Sequence, residues 1–260
     1  MSATGFTGIV VVLLFVGLMI LFSIIGKDRK SSRIRPIAAY TKINQEINTS
    51  VEDGTQLHIS LGRGGIIGPD SAAGLAGLSL LEQVINKSSM CDHPPIASTG
   101  NPVLSILAQD TIRGSSKAIS LADQRENPSG ELIGVTPFSY AAGTLTTIRD
   151  DNVSANVLTG WFGNEIIWLT TAGERQSSPT IAGTAQLPAQ AVIYASASDP
   201  LIGEDLFASG AYLGAGKMHQ ASITVQDVVR WIIIVLILGS VVFNLLGFNT
   251  FIEDILAGSM

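Results

Sequence analysis

The chain has 260 residues, 46% hydrophobic and 14% charged, with a formal net charge of −6 at pH 7 and one cysteine, Cys91. Because an ordinary soluble domain has roughly 25% charged residues and the mean hydropathy here is +0.39, the composition excludes a disordered chain and a coiled coil. The acidic balance argues against a nucleic-acid partner, which needs a basic surface, and the lone cysteine excludes an internal disulfide framework.

The first predicted element is an apolar helix over residues 8–25, a stretch of 18 residues without a charge. At ~1.5 Å per residue this helix approaches the ~30 Å thickness of the hydrocarbon core of a bilayer. A signal peptide is the alternative. It would need basic residues before the apolar run, but residues 1–7 carry no charged side chain, and five basic residues lie after the run, within residues 27–35. We therefore expect a retained transmembrane helix, followed by a basic juxtamembrane linker or short helix over residues 26–50.

Short apolar runs alternate with longer helical patterns over residues 51–220. The predicted strands are residues 57–61, 95–99, 132–136, 153–159 and 191–197. The helices predicted after them are residues 70–87, 101–119, 137–149, 164–175 and 200–213. Residues 164–171 could instead form a strand. Capping side chains followed by proline, at Asn101, Thr136 and Asp199, mark three of the helix starts. This alternation predicts an α/β fold, a doubly wound, mostly parallel sheet of the Rossmann-like kind.

A second apolar run covers residues 231–248, and Thr224 with Asp227 has the spacing of a helix start before it. We therefore predict a second transmembrane helix with its juxtamembrane turn over residues 225–248. The apolar residues 231–248 are the membrane-spanning part, because Trp231 at their edge is typical of a membrane interface; a buried core helix is the alternative. All 15 Lys and Arg lie between the two apolar runs. The positive-inside rule then predicts a cytoplasmic domain with both termini outside, and residues 249–260 form a short outside tail.

The candidate ligand site lies where predicted strands end, because open parallel sheets bind ligands beyond the carboxyl ends of their strands. A glycine-rich turn follows the first strand, and Arg63 within it could pair with a phosphate. The turn departs from the dinucleotide fingerprint, since Ile67 stands at the third glycine position, and a turn that simply requires glycine is the alternative. The candidate ligand-binding residues are Gly62, Arg63, Gly64, Gly65, Thr99, Asn101 and Asp199. No motif requires a cofactor, and a nucleotide is the possible ligand.

Catalytic and metal-binding motifs are missing. The sequence has neither a P-loop nor the serine nucleophile elbow of hydrolases. His58, His93 and His219 are isolated from one another and lack the spacing of metal ligands. Cys91 beside Asp92 and His93 has the composition of a nucleophilic site, with an ordinary surface thiol as the alternative. The sequence thus predicts no catalytic residue and no metal site.

Small and polar residues within the apolar runs are candidates for contacts between membrane helices. They are Gly17 in the first run and Gly239, Ser240 and Asn244 in the second. Ser240 and Asn244 are four residues apart and share one helix face, where an amide in hydrocarbon needs a partner. The alternative is that Asn244 is hydrated at the outer interface.

Four segments carry a resemblance to a known family. They are EDGTQLHISLGRG at residues 52–64, SAAGLAGL at 71–78, FGNE at 162–165 and PLIGEDLF at 200–207. In these segments the chain resembles a functionally uncharacterised family of prokaryotic membrane proteins with two spans and a cytoplasmic Rossmann-like domain. Family members more often have proline where Asn164 stands. The resemblance covers most of residues 50–225 and implies the same anchored α/β domain, but no activity and no functional residue.

From these features we expect a membrane-anchored cytoplasmic domain with a structural, assembly or interaction role. Its expected partners are the lipid bilayer and either further copies of itself or other membrane subunits. The alternative is a nucleotide- or anion-binding domain, with or without enzymatic activity, that uses the glycine-rich turn from Gly62 to Gly65. Transport through the spans is disfavoured because neither apolar run, residues 8–25 or residues 231–248, contains an ionisable residue.

Overall fold

The computed structural model describes residues 3–25, 35–88, 94–118, 130–150 and 152–245. The chain divides into two compact units, one formed by Met1–Ser32 with Gly216–Met260 and the other by Arg33–Ala215. The second unit is the α/β domain, and it begins well before residue 51, where the sequence suggested its start.

The elements follow one another in a largely alternating order. The helices are α1 Ala3–Ile25, α2 Ala38–Asp53, α3 Ser71–Lys87, α4 Pro102–Ala118, α5 Pro137–Ile148, α6 Ile166–Arg175, α7 Leu187–Ser196, α8 Ser209–Leu213 and α9 Lys217–Leu245, with a 3-10 helix at Gly203–Ala208. The strands are β1 Gln56–Gly62, β2 Ile96–Thr99, β3 Gly130–Leu132, β4 Val153–Trp161, β5 Thr180–Thr184 and β6 Asp199–Leu201.

The strands form one parallel sheet in the order β3-β2-β1-β4-β5-β6. The buried apolar side chains form two clusters, one beneath α2, α3, α4 and α8 and the other beneath α5, α6 and α7. The predicted α/β fold with a parallel sheet is confirmed. The strand order reverses between β1 and β4, which is consistent with a Rossmann-like fold.

The segment predicted as a linker or short helix is α2, an integral part of the domain core. Tyr40, Ile43 and Ile47 are all buried, and their spacing of three and four residues places them on one helix face. The helix ends at Gly54, whose φ of 66° is the left-handed conformation common after a helix.

Two predicted strands were wrong or displaced. Residues 191–197 lie almost wholly in α7, because Ala189 and Ile193, one helical turn apart, face the core while Tyr194 points to solvent. The strand that precedes α7 is instead β5, a short run in which Ala and Gly interrupt the strand-favouring Thr and Ile and which is buried throughout. The third strand is Gly130–Leu132 rather than residues 132–136, because Thr136 is already the cap of α5.

Two other expectations near the end of the domain are settled. The segment at residues 164–171, which could have been a strand, belongs largely to α6. The long helix predicted over residues 200–213 was wrong, since that stretch contains the end of β6, the 3-10 helix and α8.

The other unit contains α1 and α9, which contact each other. Among the described residues one helix, α9, is long and apolar enough to cross a membrane, with a mean hydropathy of 2.4 over an 18-residue stretch none of which is buried. The apolar part of the first helix, Gly8–Ile24, is shorter. The predicted outside tail at residues 249–260 lies outside the described residues.

Candidate functional site

The carboxyl ends of β1 and β4 meet where the strand order reverses, the position at which open α/β sheets bind their ligands. Gly62 ends β1 with a φ of 71°, and a side chain there would collide with the backbone of Trp161 in β4. Glycine is therefore required at this position by the close approach of two strands, independently of any ligand.

Arg63 joins the two halves of the sheet at this point. Its backbone N–H donates to the carbonyl of Trp161 at 2.9 Å. Its Nε donates to Oε1 of Glu165 at 2.9 Å, with the arginine side chain 20% exposed and the glutamate side chain 5% exposed. The guanidinium that the sequence suggested for phosphate binding thus already forms an ion pair with a buried carboxylate.

The rest of the glycine turn is held by the chain itself. The backbone N–H of Gly65 donates to Oδ2 of Asp70 at 2.6 Å. A side chain at Gly64 would meet the Trp161 side chain and the backbone of Gly74, so this glycine lets α3 approach the sheet. Since a carboxylate accepts from one of the turn amides, a phosphate would have to displace Asp70 to use that amide.

Thr99 and Asn101 lie beside the turn, as the sequence predicted. The hydroxyl of Thr99 donates to the carbonyl of Gly62 at 3.1 Å and is buried. Oδ1 of Asn101 accepts from the backbone N–H groups of Val103 at 2.9 Å and Leu104 at 3.2 Å, which caps α4. Both side chains therefore have structural hydrogen bonds at the edge where a ligand would bind.

Asp199 does not belong to this group. It is the first residue of β6 and pairs with Ile181 in β5, so it lies at the amino ends of the parallel strands, the opposite edge of the sheet. The prediction placed it after a strand, but the residues before it form α7. This correction removes Asp199 from the candidate site.

Sequence reasoning missed both carboxylates of this edge. Glu165 follows the end of β4, and Asp70 precedes α3. The sequence does show an acidic residue after each of the two strands β1 and β4. It does not show that these two strands are neighbours in the sheet.

A buried polar cluster lies in the middle of the sheet, on the face covered by α5. His58 in β1 contacts Oδ1 of Asn156 at 2.9 Å and Oγ of Ser98 at 2.8 Å through its two ring nitrogens. The hydroxyl of Tyr140 in α5 hydrogen-bonds Ser60. All five side chains are buried, and burial lowers the pKa of His58 to about 4 and raises the pKa of Tyr140. The cluster therefore joins three strands and a helix and has no surface for a ligand.

Within the described ranges, no three His, Cys, Asp or Glu side chains are grouped so that they could hold a metal ion. Cys91, Asp92 and His93, which had the composition of a nucleophilic site, lie outside those ranges.

The four residues predicted to contact other membrane helices are Gly17, Gly239, Ser240 and Asn244. A side chain added at Gly17 or Gly239 would meet nothing within 4 Å. Ser240 and Asn244 are exposed on α9.

No curated protein and no solved structure matches the chain. One protein-family model does match, over residues 2–255, which is nearly the whole chain. The match agrees with the resemblance to an uncharacterised family, and it adds no activity. The chain belongs to the family described as a domain of unknown function, DUF6754.

Proposed function

We propose that this protein is a membrane-anchored assembly or interaction subunit whose α/β domain lies in the cytoplasm of a prokaryotic cell. One observation carries the proposal. At the edge where this fold would bind a cofactor, the polar groups bind one another through Arg63 with Glu165 and Gly65 with Asp70. This arrangement favours a structural role for the edge over a role in catalysis.

Apolar side chains at the same edge support an interaction role. Ile67, Val135 and Phe138, in the loops after β1 and β3 and the first turn of α5, are 86%, 63% and 76% exposed. We take these exposed side chains at one edge of the sheet as the candidate surface for a protein contact.

The anchoring part of the proposal is two transmembrane helices, one over residues 8–25 and one with its juxtamembrane turn over residues 225–248, with both termini outside. It rests on the unburied apolar stretch of α9 and on the confinement of all 15 basic residues between the apolar runs. Lipid is then the partner of most of the exposed apolar surface of α9.

Self-association or assembly with other membrane subunits would occur through the helix face that carries Ser240 and Asn244. Among the described residues, neither side chain has a hydrogen-bond partner, and an amide exposed to hydrocarbon gains about 1–2 kcal/mol from a partner on a second helix in model peptides. Gly17 and Gly239 leave room for a close helix approach.

Native mass spectrometry of the full chain in a mild neutral detergent tests the assembly. We expect an oligomer that Asn244→Leu weakens. Val242→Leu, on the opposite face of α9, is the matched control and should leave the oligomer unchanged. Phe138→Ser should weaken it further if the domain edge contributes, whereas Tyr194→Ser on α7 should not. A clean monomer in several detergents and in nanodiscs would contradict self-association.

The second candidate function is nucleotide or anion binding at Gly62–Gly65, with or without an enzymatic step. It is favoured by the strand order, since the turn lies at the point where the order reverses. Thermal unfolding of the full chain with nucleotides and dinucleotides tests it, because a ligand at 100 times its Kd adds about 2.7 kcal/mol to the free energy of unfolding. An unchanged midpoint with every nucleotide at millimolar concentration would contradict this function.

A further inference from the structure

A groove runs between α5 and α6, on the face of the α/β domain away from α3 and α4. It encloses about 340 Å³. Its lining consists of Leu145 and Arg149 from the α5 side and Ile167, Trp168, Thr171, Ala172 and Arg175 from α6. Small-molecule sites occupy about 300–1,000 Å³, so the groove is large enough for a small ligand. None of these residues belongs to the glycine turn or to the apolar helices.

The two ends of the groove differ in chemistry. Ile167 and Trp168 lie in the first turn of α6, and the Trp168 side chain is 57% exposed, so an indole face is open at that end. Arg149 directly follows α5 and Arg175 is the last residue of α6. The two helix ends are joined by a hydrogen bond from Nε2 of Gln176 to the carbonyl of Arg149 at 3.2 Å. Both guanidiniums therefore lie at the same end of the groove.

Neither guanidinium has an ion-pair partner among the residues that the structure describes, and the lining contains no carboxylate. The carboxylate of Asp150, next in the chain, accepts from the backbone and side-chain N–H groups of Asn152 at 3.0 and 3.1 Å. One oxygen of this carboxylate is thus used in the local turn. The guanidinium end of the groove offers several donors of fixed geometry to an anion.

We propose that this groove binds a small amphipathic anion, a molecule with a carboxylate or phosphate group on a flat apolar body. The anionic group pairs with Arg149 and Arg175, for which a planar guanidinium is well suited. The apolar body lies along Leu145 and Ala172 and packs against the Trp168 indole, which supplies a large apolar face. The site is independent of the membrane anchoring and of the assembly proposed above.

Titration calorimetry of 1-naphthyl phosphate into the full chain, in a neutral maltoside detergent with detergent alone as the blank, tests the proposal. We expect saturable binding of one molecule per chain, and affinities for inorganic phosphate and for 1-naphthol that are lower by about ten-fold or more, because each of these probes occupies only one end of the groove.

Variants assign the binding to the groove. Arg149→Gln with Arg175→Gln, and separately Trp168→Ala, should each weaken the binding of 1-naphthyl phosphate by about ten-fold or more while the thermal midpoint without ligand stays close to wild type. The matched controls are Arg113→Gln on α4 and Tyr194→Ala on α7, both exposed and both away from the groove; they should leave the affinity unchanged. Absence of saturable binding would overturn the proposal. Equal affinity in the double arginine variant would also overturn it, and would leave the arginines as charges that complement helix ends.

Discussion

His58 is a fully buried imidazole in the central strand β1, with Asn156 and Ser98 on its two ring nitrogens. Its pKa is lowered from about 6.5 to about 4 because burial penalises the charged form. Well above pH 6.5 the ring is neutral in both the folded and the unfolded chain. As the pH falls from 6.5 to 4, only the unfolded chain binds the proton, so the free energy of unfolding decreases by up to about 3 kcal/mol.

His58→Gln removes this titration. We expect the free energy of unfolding of the wild-type chain to fall more steeply between pH 6.5 and 4 than that of the variant, measured by urea unfolding in a neutral detergent. Comparing the two chains cancels the carboxylates that titrate in the same range. Parallel pH profiles would show that His58 does not titrate on unfolding.

Arg63→Ala leaves the carboxylate of Glu165 buried without its partner. Removing one member of a buried ion pair costs about 3–5 kcal/mol, and because Arg63 is 20% exposed we expect about 2–3 kcal/mol in the free energy of unfolding. Glu165→Gln should recover part of that loss in the double variant. Arg113→Ala, at an exposed position, is the control and should change stability by less than about 0.5 kcal/mol. Equal effects of the two arginine substitutions would contradict a structural role for Arg63.

At the scale of elements, the question that is tested most directly is whether α2 is a linker or a helix of the domain core. Ile43 is 1% exposed and faces the sheet, so Ile43→Ala should lower the free energy of unfolding by about 2–5 kcal/mol. Asn48→Ala, on the exposed side of the same helix, should have little effect or stabilise slightly through helix propensity. Thermal unfolding of the full chain measures both. A neutral Ile43→Ala would mean that α2 does not contribute to the domain core.

The same helix ties the start of the domain to its end. The hydroxyl of Tyr40 donates to the carbonyl of Asp205 at 2.6 Å, and the Tyr40 ring stacks on Tyr212 with centroids 5.0 Å apart. Arg35 contacts the same two residues, through its guanidinium at 3.3 Å from Asp205 and through its carbonyl, which accepts from the hydroxyl of Tyr212 at 2.5 Å. The first and last parts of the α/β domain are therefore neighbours.

At the scale of the whole molecule, the prediction is the topology. Cysteines introduced by Ser2→Cys and Ser259→Cys should react with an impermeant thiol reagent in whole cells, because both termini are expected outside. The natural Cys91 should react only after the membrane is permeabilised and serves as the internal control. Labelling of Cys91 alone in intact cells would reverse the orientation, and labelling of only one introduced cysteine would indicate a single span.

Local signals in the sequence determined much of this protein. The uncharged runs predicted the apolar helices, and the capping residues Asn101 and Thr136 marked the starts of α4 and α5, where the structure has caps. Alternation of strand-like and helical runs predicted the α/β class. These signals succeed because propensity, capping and periodicity act within about ten residues of the chain.

Tertiary structure alone decided the rest. The five residues of β5 have no alternation of apolar and polar side chains, so they do not stand out as a strand in the sequence. Their place in the sheet is fixed by β4 and β6, which pair with β5 on its two sides. Asp199 lies at the amino edge because a segment with strand-like alternation packs as α7. Arg63 and Glu165 are 102 residues apart and become partners only because β1 and β4 are adjacent. Strand order is set by the packing of the whole sheet, so the environment of the candidate site could not be read from any one stretch of residues.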